Sequence, residues 1–544
     1  MALLLTACEV PGVYRPPRPA TGGPYTFYVS PDGDDGNDGM SPAKPWRTLD
    51  HADGARFRPG DRLRLKGGER FRGSLTLDKD EAGSARKPVV VESYGTGRAT
   101  IVPRGTSAVT VHDTAGLEFR DLSLVGDREA LREGVGISVT TARRGARRLD
   151  HIRIADVEVK GFRNGITLGA VKGARAGFSD VRISDVSVHH NLESGLSFHG
   201  PVFEAARPAY AHEGLRIERV KAYANAGNPR SDHRNTGSGI TLGSVRNAKV
   251  THSVAHDNGS RSAADADEGP EGMWVYDSTE VVLEHNRSYR NRTGSRVDGG
   301  GFGLDNNVSS SVVQYNIAYG NDGPGFLVYS GRATGAHRDN VVRYNMSWDD
   351  ARKLPEYGGI VAYGLRMRNL AIYHNTVVMR TAHLASAAEM GMRPPAVRLR
   401  DGMRGVRVEN NIIATDGGPL VATESAYDPA LIRLRGNNYR STGPWSLEWG
   451  ERRFAALDAW RAASGQETLD GRPTGSDDDL CLSGLSVRVP DWPDARNLEP
   501  RCAPRTPVTL GPPASRPGLG ELDYFGNPLP DFPLPGAAQP GARR

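Results

Sequence analysis

The chain has 544 residues, of which 66 are glycine, 36 are proline and only 7% are aromatic. This turn-rich composition argues against a helical bundle. The net charge of 69 − 64 = +5 is small for this length, and neither a Lys/Arg run nor an interleaved aromatic stripe is visible, so we expect no nucleic-acid partner despite a pI of about 9.0.

The N-terminus, MALLLTAC, ends in Leu5-Thr6-Ala7-Cys8, which resembles a bacterial lipobox. It is too short for a complete signal peptide, so residues 1–8 are interpreted as a truncated lipoprotein signal with Cys8 as the lipidated residue. Residues 9–26 are rich in Pro and Gly, as expected of a tether. This predicts an exported protein, in the bacterial cell envelope or secreted, that contacts the membrane only through its anchor. The alternative is a chance LTAC in a cytoplasmic protein.

Residues 27–115 are predicted to form an N-terminal cap and the first coils. The turn from Asp32 to Asp38 is acidic, but its spacing does not match an EF-hand loop, so we interpret it as a solvated turn. A short helix near Thr48–Ala55 is expected to cover the open end of the coil. The segments DRLRLKGG and PVVVESYG alternate polar and apolar residues as strands do.

A repeat of about 30 residues organises the chain from 116 to 441. VVLEHNRSYRN aligns with VVQYNIAYGN, and GMWVYD with GFGLDN, between Glu271 and Asn321. Such a period is typical of a solenoid. No turn carries the apolar stripe of an amphipathic helix. We therefore predict an all-β fold, a right-handed parallel β-helix with about ten or more turns and short helical caps at the ends.

Two alignments support this fold. The first is a column of asparagines at one corner, where stacked side-chain amides can satisfy inward-turned polar groups. Its members are Asn286, Asn316, Asn345, Asn375 and Asn411. The second is a G-I-x-L strand in every turn, whose second and fourth residues are apolar. Strand alternation points those two inward and the third and fifth outward.

The outward positions of the G-I-x-L strands change from small residues in early turns to aromatic and charged residues from Trp274 onward. Aromatic rings bind the apolar faces of sugars, and Asp or Arg binds hydroxyls or carboxylates. Long loops at one corner (225–239, 258–272, 291–301 and 379–396) are expected to form a wall beside this face. The predicted substrate-binding residues are Trp274, Tyr276, Tyr329, Tyr363, His199, His256 and Arg400.

Four carboxyl groups are the catalytic candidates: Glu271, Asp277, Asp298 and Asp305. Such a cluster can supply the acid and base of a glycosidase. Alternatively, carboxylates hold a cation such as Ca²⁺ that neutralises a uronic acid, while Tyr276, His199, His256 or an arginine is the base for β-elimination. A third interpretation is that each aspartate only caps turn amides beside glycines. Neither the glycosidase interpretation nor the turn-capping interpretation requires a cofactor.

Residues 442–544 are predicted to form a C-terminal cap and an irregular Pro/Gly-rich tail. Residues 450–466 have helical spacing, with Phe454, Leu457 and Trp460 on one side, and could cover the last turn. With Cys8 set aside, Cys481 and Cys502 remain, and we predict a disulfide between them in the tail.

Three segments carry a family resemblance: FYVSPDGDDGNDGMSPAKPWRTL at the entry, NRTGSRVDGGGFGLDNNVSSSVVQYNIAYGNDGPGF in the middle and DYFGNP near the exit. With them the chain resembles the pectate-lyase-like superfamily of bacterial right-handed β-helix proteins. That family includes polysaccharide lyases, glycoside hydrolases and epimerases, so the resemblance implies a carbohydrate-active protein. The usual polygalacturonase pattern (an NTD, a DD pair, a GHG and an RIK) is absent, and no catalytic residue carries over.

Together these observations predict an extracytoplasmic monomer that degrades a polysaccharide bound across the outer face of one parallel sheet. The reaction would be that of a polysaccharide lyase or a glycoside hydrolase. The alternative is a non-catalytic glycan-binding or cell-envelope protein built on the same coil.

Overall fold

A computed structural model of the chain describes residues 22–171, 173–231, 233–380, 392–482, 495–502, 522–529 and 534–539. Cys8, most of the 9–26 tether and most of the 379–396 loop therefore lie outside the described residues. The described chain coils through three long sheets in turn, and each strand pairs in parallel with the strand one coil earlier and one coil later. The predicted all-β parallel solenoid is confirmed.

Sheet 1 has fourteen strands in the described residues: Thr26–Val29, Arg62–Lys66, Val89–Tyr94, Leu117–Arg120, Leu149–Ala155, Phe178–Ser184, His212–Glu218, Val245–Thr251, Thr279–Glu284, Val312–Gln314, Val341–Arg343, Ala371–Tyr373, Val406–Glu409 and Ile432–Arg435. Sheet 2 follows it in each coil, with thirteen described strands: Arg70–Arg72, Ala99–Val102, Leu122–Val125, Glu158–Lys160, Ser187–His189, Lys221–Tyr223, Val254–His256, Arg287–Tyr289, Ile317–Tyr319, Met346–Trp348, Thr376–Met379, Ile412–Thr415 and Asn438–Ser441.

Sheet 3 contains the G-I-x-L strands. Its fourteen described strands are Leu75–Leu77, Val109–His112, Val135–Thr141, Asn164–Ala170, Ser194–His199, Ser238–Gly243, Glu271–Tyr276, Gly300–Leu304, Phe326–Ser330, Ile360–Gly364, Val397–Leu399, Val421–Thr423, Leu447–Trp449 and the antiparallel Arg452–Phe454. Two short strand pairs lie outside the three sheets: Met367–Arg368 with Met403–Arg404, and Thr468–Leu469 with Arg472–Pro473. The helices are Leu49–Asp53, Arg128–Glu133 and Leu457–Ser464, with a 3₁₀ turn at Ala495–Leu498.

The inward residues of sheet 3 stack directly over one another along the coil and form the core. The second residues of its G-I-x-L strands are at most 1% exposed: Ile166, Leu196, Ile240, Met273, Phe302, Phe326 and Ile360. The rings of Phe302 and Phe326 stack with centroids 5.2 Å apart. The predicted alternation is therefore confirmed, and the remaining outward positions are available for a ligand.

The predicted asparagine column lies at the corner between sheets 1 and 2. Each side-chain amide donates to the next side-chain oxygen at 2.9–3.1 Å, from Asn286 through to Asn411 and on to Asn437. A second column, which we did not predict, lies at the corner between sheets 2 and 3. Its members are Asn191, Asn225, Asn258, Asn291, Asn321 and Asp350. The second column fixes where each loop leading to sheet 3 begins.

The predicted N-terminal helix is present at Leu49–Asp53, where Thr48 caps its first turn and Leu49 is buried beneath Trp46 and its neighbours. The acidic turn before it is more than a solvated turn. Asp35 accepts hydrogen bonds from the backbone N–H groups of Arg47 and Thr48 and from the Thr48 hydroxyl, which ties the turn to the helix.

The C-terminal cap differs from the prediction in its first half. Residues 452–454 form a strand antiparallel to Leu447–Trp449, because Gly450 reverses the chain at φ +60°, and the helix begins only at Leu457. Phe454 therefore does not belong to the helix, whereas Leu457 and Trp460 are buried in it and cover the last coil.

The predicted disulfide between Cys481 and Cys502 is confirmed, with a Cα–Cα distance of 5.4 Å. Further along the tail, Leu522 accepts a hydrogen bond from the Tyr315 hydroxyl and Ala537 donates to the Thr376 hydroxyl oxygen, so the tail packs along sheets 1 and 2. None of the helices in the described residues has the length and apolarity needed to cross a bilayer.

Candidate functional site

The outer face of sheet 3 carries the predicted column of aromatic and charged residues. Strand pairing aligns Tyr276, Asp305, Tyr329, Tyr363 and Arg400 on successive coils. All five are partly exposed. The register on which the predicted substrate face depends is therefore present, and it places an aspartate between two tyrosines.

Two adjoining cavities follow this column, with volumes of about 450 and 430 Å³. Both are lined by Trp274, Asp305 and Arg332, so they form one continuous depression, which we call the sheet 3 groove. Its upstream half extends back to Asn164, and its downstream half extends to Tyr363. Asp305 lies where the two halves meet.

The long loops at the sheet 2–sheet 3 corner form the expected wall along the groove. The Asn235 side chain donates to the Gly269 carbonyl, and the Gly269 N–H donates to Asp298 Oδ2 at 2.9 Å, which links three consecutive loops. Lys353 Nζ, from the next loop, donates to the Thr293 carbonyl at 2.6 Å. These hydrogen bonds make the wall a continuous, ordered surface.

Glu271 projects from this wall onto the groove floor. The residue is 4% exposed, and its Oε2 is buried without a hydrogen-bond partner. Its carboxyl group lies over Gly303, where an added Cβ would come within 1.9 Å of that oxygen. Glycine is thus required in the middle of this strand because the carboxyl group occupies the space of a side chain.

Asp298 and Asp305 flank the groove with different partners. Asp298 accepts from the Gly269 N–H, and the Tyr357 hydroxyl lies 3.4 Å from its Oδ1. Asp305 Oδ1 accepts from the backbone and side-chain N–H groups of Asn306 at 2.6 and 2.8 Å. Burial raises the pKa of Asp298 to about 6 and, together with the charge of Asp298, raises the pKa of Asp305 to about 7.

Burial also raises the pKa of Glu271 well above its usual range, and the charges of Asp298 and Asp305 act in the same direction. Three carboxyl groups therefore share one dry region, where they cannot all ionise at neutral pH. Raised carboxyl pKa values in a cleft are typical of general acids.

Glu271→Gln is expected to stabilise the protein at pH 8 and to have little effect at pH 5. The folded-state pKa of Glu271 is raised above 4.5, so the proton it holds stabilises the fold below that value and this contribution is lost as the pH rises. Thermal unfolding followed by circular dichroism at both pH values measures the difference. Glu204→Gln, at an exposed position, is the matched control; an equal shift in both variants would contradict the prediction.

Trp274 and Tyr276 lie on the upstream side of Asp305. Trp274 Nε1 donates to the Ser238 hydroxyl at 3.0 Å, and its ring centroid is 5.0 Å from that of Tyr276. The Tyr276 ring leans over Gly243, where a Cβ would meet it at 2.1 Å. These two rings form an aromatic platform at the junction of the two halves of the groove.

Asp277 is in the upstream half but has a structural partner. It occupies a left-handed turn at φ +47°, and its Oδ1 accepts from Asn307 Nδ2 at 2.7 Å. Burial raises its pKa. Its partner is a side-chain amide of the next coil, whereas Asp298 and Asp305 are the candidates that accept from backbone N–H groups.

His199 and Arg400 mark the two ends of the predicted face. His199 lines the upstream half and lies over Gly169, and burial lowers its pKa. The Arg400 guanidinium lies 5.3 Å from the centre of the Tyr363 ring, and its Nε is 3.4 Å from Glu424. Arg400 thus packs on the last tyrosine of the column and does not line the groove.

His256 is the one predicted substrate-binding residue that the structure places elsewhere, and this prediction is wrong. It ends a strand of sheet 2, where its ring stacks between Tyr223 at 5.0 Å and Tyr289 at 4.8 Å. Its Nδ1 lies 2.6 Å from Asp257 Oδ2. The histidine belongs to an aromatic stack along another wall of the coil.

Several groove residues were not predicted from the sequence: Asn235, Glu268, Asn306, Arg332 and Tyr357. All five lie in loops, where strand register gives no information about the direction of a side chain. Tyr357 was the most accessible to prediction, because the corner from Asp350 to Gly359 is longer than the minimal corner from Asn321 to Gly325.

The calcium alternative finds no ligand set in the described part of the chain, because no three His, Cys, Asp or Glu side chains there are arranged to hold a metal ion. We therefore derive no step through a metal.

The three-sheet coil is that of a parallel β-helix protein. Comparison with known proteins shows that such a coil is right-handed. Residues 136–377 match the family described as the right handed beta helix region. A search of curated protein sequences finds no match. The fold is thus a right-handed parallel β-helix, as the sequence resemblance implied.

Among solved structures, the chain is similar to the GH136 lacto-N-biosidase from Eubacterium ramulus. The selenomethionine derivative superposes with a TM-score of 0.53 at 18% identity over 66% of each chain, and the native protein gives 0.51 at the same identity and coverage. The chain therefore spans just under two thirds of that enzyme's length. Pectate lyase Pel9A is a looser match, with a TM-score of 0.41, 16% identity and 85% and 92% coverage of the two chains. At these identities the likeness establishes a shared fold alone.

Proposed function

We propose that this protein is a glycoside hydrolase that cleaves a glycan bound in the sheet 3 groove. The observation that carries the proposal is the pair Asp298 and Asp305, two carboxyl groups held in different hydrogen-bonding environments in the downstream half of an aromatic-lined groove. Two carboxyl groups with separated pKa values supply the acid and the base or nucleophile of glycosidic cleavage.

Asp305 is the proposed general acid. Its pKa of about 7 keeps much of it protonated near neutral pH, and it faces both halves of the groove. Asp305 would donate its proton to the glycosidic oxygen as the bond from that oxygen to the anomeric carbon breaks. Protonating the leaving group in the transition state contributes a factor of about 10² to 10⁴ to the rate.

Asp298 is the proposed ionised partner. The Gly269 N–H and the Tyr357 hydroxyl favour its carboxylate, which suits Asp298 to the ionised role beside a protonated Asp305. It would attack the anomeric carbon directly or activate the water that does so. The anomer released first, read by NMR, distinguishes the retaining from the inverting course.

The charges along the groove favour hydrolysis of a neutral glycan over β-elimination from a uronic acid. The downstream half is lined by five acidic residues, Asp267, Glu268, Glu271, Asp298 and Asp305, and by one basic residue, Arg332. An anionic sugar placed beside these carboxyl groups would be repelled, and its binding would be weakened. Aromatic rings and half-ionised carboxyl groups suit a neutral, hydroxyl-rich ring instead.

The location that fits this activity is outside the cytoplasm, with the protein attached through a lipid on Cys8. This proposal rests on the LTAC sequence and the Pro/Gly-rich segment after it. It is also consistent with the Cys481–Cys502 disulfide, because disulfides persist in oxidising compartments. Metabolic labelling with a palmitate analogue in a bacterial host, with Cys8→Ala as the unlabelled control, tests it.

A panel of neutral and uronate-containing polysaccharides tests the reaction. Hydrolysis releases reducing ends without absorbance from unsaturated sugars, whereas elimination gives both signals. We expect reducing ends alone, from a neutral glycan. Unsaturated products would overturn the proposal, and binding without any product across the panel would favour the non-catalytic glycan-binding protein.

A further inference from the structure

We infer that the sheet 3 groove is closed at its downstream end, so that the protein removes a short saccharide from a chain terminus instead of cutting within a chain. This inference rests on the proposed hydrolase function and adds the position of cleavage. It names Tyr357, Arg398 and Arg400 as the residues that set product length.

The first observation is the burial of residues whose register points them outward. Leu327 and Val361 occupy the same column as Trp274, on the outer face of sheet 3. Val361 is nonetheless 0% exposed and lines neither cavity, whereas Leu327 still lines the downstream half of the groove. Upstream in the same column, Ser197 and Thr241 line the groove. The groove therefore follows the outer face as far as Leu327, and the face is covered at Val361.

Side chains from the next two coils supply the cover. Tyr357 is buried in the same apolar cluster as Leu327 and Val361, and Arg398 Nε donates to the Tyr357 carbonyl at 3.2 Å, which holds that loop down. The rings of Tyr329 and Tyr363 lie 4.7 Å apart, and Arg400 stacks on the far side of Tyr363. Among the described residues, neither of the two cavities extends past Tyr363 along this column.

The lengths on the two sides of Asp305 differ accordingly. Upstream, the groove passes four strands to reach Asn164, which is about 19 Å at a strand spacing of about 4.8 Å. Downstream, Tyr363 is only two strands away, which is about 10 Å. A long chain fits upstream, whereas only a short terminal saccharide fits downstream.

The time course of product sizes tests this inference. The neutral glycan that the panel identifies would be supplied as an oligosaccharide series with a fluorophore at the reducing end, and as the same series with both termini blocked. We expect one short product from the earliest time point, stepwise shortening of the substrate and no cleavage of the doubly blocked series. Release of saccharides of many different lengths at the earliest time point, or cleavage of the blocked series, would overturn the inference while leaving the hydrolase function standing.

A variant pair tests the wall itself. Arg398→Ala releases the Tyr357 loop and is expected to raise the share of longer products at least several-fold. Arg404→Ala, an exposed arginine on a strand outside the three sheets, is the matched control and should keep the wild-type pattern. Unchanged products from a folded Arg398→Ala protein would contradict the assignment of this wall, and the absence of product from wild type would overturn the underlying function.

Discussion

Asp305→Asn is expected to lower kcat/KM on the cleaved glycan by a factor of about 10² to 10⁴, because asparagine keeps the shape of the side chain but has no proton to give to the leaving oxygen. The side-chain oxygen of the new asparagine can still accept the hydrogen bonds from Asn306, so the loop geometry should persist. Substrates with a leaving group that needs no protonation, such as a dinitrophenyl glycoside, should lose far less. Initial rates on both substrates measure the difference.

Asp185→Asn is the control for this variant. Asp185 pairs with Arg219 on an exposed corner away from the groove, and its loss should leave kcat/KM within about twofold. Thermal unfolding of both variants separates chemistry from folding. At pH 8 we expect Asp305→Asn to unfold at the wild-type temperature or above, because wild type must then ionise a buried carboxyl group whose folded-state pKa is about 7. Equal rates for wild type and Asp305→Asn would remove Asp305 from the mechanism.

The pH dependence of wild-type activity follows from the carboxyl groups of Asp298 and Asp305. The active form needs Asp298 ionised and Asp305 protonated, so kcat/KM should fall below about pH 6 and above about pH 7, with its maximum between these values. In the pH profile of the residual Asp305→Asn activity, kcat/KM should still fall at low pH but should no longer fall at high pH. A profile whose alkaline limb is unchanged in this variant would assign that limb to another group.

The coil was predictable because strand register repeats once per turn, so an error in one coil is exposed by its neighbours. Aligning the G-I-x-L strands is enough to place Tyr276, Asp305 and Tyr329 side by side. His256 lies outside that alignment, and its segment VAH fits an alternating strand of either sheet 2 or sheet 3. Periodicity gives the direction of a side chain relative to its own sheet, and the identity of the sheet has to come from position within the turn.

The loops were less predictable for a different reason. The sequence shows Asn191, Asn225, Asn258, Asn291 and Asn321 as the residues at which the corners before sheet 3 begin, but their stacking on one another was not predicted. Beyond them, the direction of Tyr357 and the burial of Glu271 depend on contacts between loops of different length, which no repeat specifies. Gly303 was the available signal for Glu271, since a glycine in the third position of a G-I-x-L strand breaks the pattern of the column.

Asn316→Leu is expected to lower the free energy of unfolding by at least about 3 kcal/mol, the largest stability effect that we predict. Asn316 Oδ1 accepts from the backbone N–H and the side-chain amide of Asn286, and its own amide donates to the Leu283 carbonyl and to Asn345. Leucine has a similar volume but removes the acceptor of the Asn286 backbone N–H and of one Asn286 side-chain N–H, and it removes the side-chain donor to the Leu283 carbonyl. Each orphaned group costs about 1–3 kcal/mol.

Urea unfolding followed by tryptophan fluorescence measures this loss, and Asn369→Gly provides the comparison. Asn369 is exposed at φ +54°, a conformation that glycine adopts freely, so its change should stay within about 0.5 kcal/mol. Because every coil rests on the one before it, the damage at Asn316 should spread to neighbouring coils, and hydrogen exchange should accelerate from Asn286 to Asn345 before the ends of the solenoid respond. Uniform protection from hydrogen exchange along the coil, or a free energy of unfolding equal to that of Asn369→Gly, would contradict the prediction. Either result would show that the asparagine column does not stabilise the fold.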